Sequence, residues 1–157
     1  MIPTLRLAAA LVLFPWPAFA DPVFVEWKAT SGPLPPPYAW SVEMTISAQG
    51  ALALRHCSGG ASAGDGCVSR SAQVGAPQLE AIRAAVVQSG LQSRPMRLLD
   101  PPPVGGETVE AVVHMPEGSV TLSGLPVEAD ADRVGLVLRA IYLAVPAEIA
   151  AEHLPGD

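Results

Sequence analysis

Positive charge is scarce in this chain of 157 residues: Lys28 is its only lysine, and nine basic residues face fifteen acidic ones. Affinity for nucleic acid comes mainly from cations that neutralise backbone phosphates, so a chain of net charge −6 is a poor partner for DNA or RNA. The same deficit argues against docking on anionic lipid. Sequence motifs for chemistry are scarce as well. There is no Gly-x-Ser-x-Gly elbow to raise a serine nucleophile and no Cys-x-x-Cys pair for thiol redox work. Gly59-Gly60 and Gly64-x-Gly66 lack the lysine and following helix of a phosphate cradle. His56, His114 and His153, the only histidines, have no His-x-x-x-His spacing. Catalytic residues, a cofactor and metal ligands are therefore not expected, and an enzyme is the less favoured reading.

Long apolar runs are also missing. The stretch Leu7–Phe14 has eight apolar residues, against roughly 20 for a helix that crosses a bilayer. It follows Arg6 and precedes Pro15, Pro17 and the small-x-small step Ala18-Phe19-Ala20, which together read as a secretory signal over 1–20. Cleavage there leaves eight basic side chains against fifteen acidic ones, a net of −7, and no membrane insertion. The expected location is periplasmic or secreted. Residues 21–147 suffice for one domain with one core, and 148–157 read as a flexible C-terminal tail.

Cysteine is reduced to one pair, Cys57 and Cys67. In an oxidising compartment that spacing predicts a disulfide, with a glycine-rich loop that closes without backbone strain. The flanking segments Ala51–His56 and Val68–Val74 read as strands, so the bridge is expected to tie the open end of their hairpin. Rigidified at its base, the loop is also a candidate for presentation to a partner. A zinc site would need two further ligands, and His56 stands too close in sequence to Cys57 to serve easily.

The periodicity of the remainder gives the fold class. Val23–Ala29 is a strand whose inward face is undecided between Phe24 and the set Val23, Val25 and Trp27. After the proline loop 33–37, Tyr38–Ser47 alternates cleanly, with Trp40, Val42, Met44 and Ile46 on one face. Gln49-Gly50 turns the chain into Ala51–Cys57. Leu79, Ile82, Val86 and Val87 recur at helical spacing between Pro77 and Gly90, predicting a helix over 77–89. A proline- and glycine-rich crossing follows over 93–106. A second hairpin, 107–115 with 119–123, turns at Pro116-Glu117-Gly118. Asp130 or Asp132 is expected to cap a last helix with Val134, Val137, Leu138, Ile141 and Val145 as its buried stripe. Strand pairs followed by helices predict an α+β fold: an antiparallel sheet of about five to six strands with two helices on one face.

This order, carried by Trp40–Cys57, Pro77–Gly90, Val109–Leu122 and the last helix, resembles small secreted bacterial proteins of unknown function with a hairpin–helix–hairpin–helix arrangement. The resemblance covers most of the chain after the signal and transfers no site residue. Candidate sites come from the residues alone. Trp27, Tyr38 and Trp40 flank the proline loop and are candidates for a partner-binding patch, although aromatics there also suit core packing. Glu128, Asp130 and Asp132 lack the glycine and distal glutamate of a calcium loop. An enzyme site, if there is one, would draw on scattered groups such as His56, His114, Asp100 and Glu110; a small-ligand or metal carrier is a third class. The favoured expectation is an exported protein-binding, accessory or inhibitor-like module with a protein partner in the cell envelope.

Overall fold

The computed structural model describes residues 21–60 and 64–154; the signal predicted over 1–20 lies outside them. Six strands form one antiparallel sheet: β1 (Val23–Thr30), β2 (Trp40–Ser47), β3 (Ala51–Ser58), β4 (Cys67–Gln73), β5 (Thr108–Met115) and β6 (Gly118–Ser123). Their order is β4-β3-β2-β1-β5-β6. The first four strands are a meander, and the second hairpin adds to the free side of β1. Three helices, α1 (Ala76–Ser89), α2 (Glu128–Ala144) and α3 (Ala147–His153), complete the α+β architecture and lie on one side of the sheet.

Alternation decides which residues face the helices. In β2, Val42, Met44 and Ile46 point inward, and register places Leu54 beside Met44 and Leu52 beside Ile46. In β1 the inward set is Val25, Trp27 and Ala29. Phe24 is buried as well, because a register shift between Val23 and Val25 lets successive residues turn to the same side. The Arg83 guanidinium of α1 sits 4.7 Å above its ring.

Helix α1 buries Leu79, Ile82 and Val86. Val87, expected in that stripe, is exposed, since adjacent helical residues diverge by about 100° and Val86 takes the inward position. Gly90 ends the helix in the left-handed conformation at φ 64°, its N–H on the Val87 carbonyl. Helix α2 buries Val134, Val137 and Ile141. Its predicted cap is corrected: Val127 holds the N-cap position, with no side-chain cap bond. Asp130 instead lies inside the first turn, buried, and its carboxylate turns back to Arg97 and Arg133.

The C-terminal segment departs from expectation. Read from sequence as a flexible tail, it is helical through His153 and docks on the core through Ile149, Ala150 and Leu154. Val145-Pro146 breaks the helix, because proline cannot donate the next backbone bond, and α3 turns by 112° from α2. That turn brings an apolar face too short to declare itself in sequence back against the sheet. Among the described residues, no single helix is long and apolar enough to cross a membrane.

Candidate functional site

Besides the Asp130–Arg97–Arg133 cluster at the start of α2, polar side chains gather on the sheet face opposite the helices and in a cleft where α3 meets the end of β3. The open face follows from the same alternation that builds the core. Outward residues of the middle strands are small or polar, and register aligns the charged ones in a row. Arg55 of β3 pairs with Glu43 of β2, Glu43 with Lys28 of β1, and Lys28 with Glu110 of β5. Arg55 Nη2 donates to Glu43 Oε2 at 2.6 Å, and Lys28 Nζ lies 3.4 Å from the other carboxylate oxygen. The Arg55 hydrogen bond, helped by Lys28, holds the Glu43 carboxyl below its ordinary range.

Signs alternate along this row, so the ladder is neutral as a set. Beside it, Thr45, Ala53 and Ser71 keep the surface low, and the twisted sheet forms a shallow trough of ≈ 730 Å³. His114 lies farther along this face, with Nε2 2.8 Å from Glu26 Oε1 and Nδ1 2.9 Å from Ser119 Oγ. Thr30 and Thr108 hydroxyls meet at 2.9 Å toward the other end of the strands.

The disulfide is formed. Cys57 and Cys67 are directly opposed residues of β3 and β4, with Cα atoms 4.0 Å apart. The expected position is corrected in one respect: the bridge sits at the loop end of the hairpin, because β3 ends and β4 begins beside it. The other end is closed by backbone bonds around Gly50 and Val74. Within the enclosed loop, Gly59 N–H bonds to the Ala39 carbonyl at 2.9 Å.

The cleft near α3 has a volume of ≈ 260 Å³ and is bordered by Pro37, Tyr38, Trp40, His56, Ser58, Glu152 and His153. His56 is inward on β3, since it stands opposite Val42, and α3 delivers His153 against it. Their Nδ1 atoms are 3.3 Å apart, and their ring planes cross at 86°. His153 is only 7% exposed, and its buried Nε2 makes no hydrogen bond. The nearest charge is Glu152 Oε2 at 3.4 Å, close enough for Coulomb attraction but not aligned for a hydrogen bond. Glu152 also reaches Arg70 of β4 at 3.3 Å. Burial, followed by repulsion from His153, lowers the His56 pKa, so its ring favours the neutral state.

His56 and His114, paired in the enzyme expectation, lie on opposite faces of the sheet and cannot act together. Glu110 belongs to the open-face ladder, and Asp100 to the crossing between α1 and β5. His153, assigned to a tail, is the residue that meets His56. Of the aromatic candidates, Trp27 is core, Trp40 packs at the core margin, and Tyr38 is 70% exposed beside the cleft. Among the described residues, no three His, Cys, Asp or Glu side chains converge as a metal cluster. No protein-family model matches the chain, and no curated protein matches it significantly.

Proposed function

We propose that this chain is an exported, non-catalytic binding module whose open sheet face engages a protein partner in the cell envelope. The observation that carries the reading is the uncovered face itself. A six-stranded sheet with one side buried under helices leaves its other side to water, and here that side is a low surface crossed by a charge row. A neutral row of alternating sign suits a partner with the opposite alternation, giving register and selectivity more than bulk affinity. It does not suit polyanions, which need net positive charge. An open trough with small side chains suits another macromolecular surface better than a small ligand, whose sites are usually enclosed and apolar. The disulfide and the signal-like first twenty residues support export to a periplasmic or extracellular location.

The test is capture from envelope extract with the wild-type protein and with Arg55→Glu, which places two like charges beside each other at Glu43. A partner retained by wild type and lost by Arg55→Glu is expected. Equal recovery by both, or no specific recovery by wild type, rejects the reading. Val87→Ser, on the exposed side of α1, is the control expected to retain the partner.

A further inference from the structure

We infer that His56 and His153 form a two-histidine site for a divalent transition-metal ion, with Glu152 as the outer partner of His153. The inference is independent of the open-face reading, because the site lies on the other side of the sheet. It begins from the separation of the two Nδ1 atoms, 3.3 Å. Imidazole nitrogens bind zinc at about 2.0–2.1 Å, and two such ligands at a tetrahedral angle stand about 3.3–3.4 Å apart. The side chains therefore already hold the spacing that one shared ion requires, although they come from β3 and α3, far apart in sequence.

The second observation is the orphaned Nε2 of His153, buried and without a hydrogen bond. Metal-ligating histidines commonly donate their other ring N–H to a carboxylate, which fixes the tautomer and strengthens the ligand. Glu152 Oε2, 3.4 Å from that nitrogen, is in place for this role after a small adjustment. With the proton on Nε2, His153 presents a lone pair at Nδ1. In the metal-free protein that lone pair accepts the His56 Nδ1–H. On metal binding the His56 proton moves through solvent to its own Nε2, freeing the second Nδ1 lone pair. Both rings stay neutral, two metal–nitrogen bonds form, and water ligands leave the ion.

The cleft beside Tyr38 borders both histidines and gives water access to complete the coordination. Imidazole donors select zinc, copper(II) or nickel over magnesium and calcium, which prefer oxygen. The Arg70 guanidinium lies near the site, and its contact with Glu152 offsets its charge.

The experiment titrates the purified, oxidised protein separately with Zn(II) and Cu(II) at neutral pH, followed by calorimetry, histidine ring NMR and, for copper, electron paramagnetic resonance. One equivalent should bind, the ring signals of His56 and His153 should move while that of His114 stays, and the copper spectrum should report two imidazole nitrogens. His56→Asn, at the half-buried position, should weaken binding at least tenfold while retaining the wild-type circular dichroism. Glu152→Gln should weaken it about tenfold, and His114→Ala should leave it unchanged. The proposal is overturned if wild type binds neither ion, if His56→Asn binds within a few-fold of wild type, or if His114→Ala removes binding.

Discussion

The carboxylate of Asp130 accepts the backbone N–H of Arg97 at 3.0 Å, tying the first turn of α2 to the crossing that leaves α1. Arg133, one turn on, donates to the same carboxylate at 2.7 Å and to the carbonyls of Ser89 and Arg94. The Asp130–Arg133 pair thus links the end of α1, the start of α2 and the chain between them. The Arg97 N–H, then the Arg133 side chain, keep the Asp130 carboxyl below the usual range. The unfolded chain takes up this proton at about pH 3.9. Its stabilisation is therefore complete above that pH and lost as pH falls through the lower native value. Asp130→Asn should flatten the acid limb of urea midpoints against pH, and Asp130→Ala should lower the midpoint at neutral pH by leaving the Arg97 N–H without its partner. An acid limb of unchanged slope in Asp130→Asn refutes the assignment.

His56 titrates in the same direction for a different reason. Its folded pKa is depressed by burial and by His153, while the unfolded ring titrates near pH 6.5. The unfolded state holds more protons between those values, so stability declines as pH drops below about 6.5 and through the native pKa. His56→Gln should reduce the difference in unfolding midpoint between about pH 7.5 and pH 5.5. Should that difference persist at full size, the loss belongs to other groups.

Gly50 is required by its surroundings. Its φ is 91°, and a Cβ there would stand 2.2 Å from the Val74 carbonyl oxygen, the backbone that closes the β3–β4 hairpin. Gly50→Ala should cost more than the roughly 1–2 kcal/mol of left-handed strain alone. Gly59→Ala, also at positive φ but with nothing within 4 Å of the added carbon, should cost only the strain. Thermal denaturation of the two variants compares them directly, and equal losses would remove the steric argument.

Reduction of the Cys57–Cys67 bridge, or Cys67→Ser, should lower stability by about 2–3 kcal/mol, the chain entropy restored to a loop of this length on unfolding. Urea midpoints with and without reductant measure it. A change below about 0.5 kcal/mol would mean that the β3–β4 pairing holds the loop closed unaided.

Much of this architecture was legible because local pattern and final environment agree. Trp40, Val42, Met44 and Ile46 alternate in sequence and share the inner face; Pro77 and Gly90 bracket α1; the two cysteines had only each other. The order of the strands was not legible, since nothing local to β5 announces that it pairs with β1. The imidazole pair was hidden for a related reason. Helix α3 has seven residues, too few to establish a period, and its inward face became apparent only once the chain had bent at Pro146. The open-face ladder needs register as well as alternation: Arg55, Glu43, Lys28 and Glu110 are unrelated in sequence until three strand pairings align them.

Because β1 is an interior strand, one of its edges waits for a partner that is made only after α1 and the long crossing have been synthesised. A growing polypeptide can assemble the meander early, yet the far rim of β1 stays bare until β5 is free of the ribosome. Truncation ahead of residue 108 should therefore yield a sticky intermediate that pairs edge to edge with its copies.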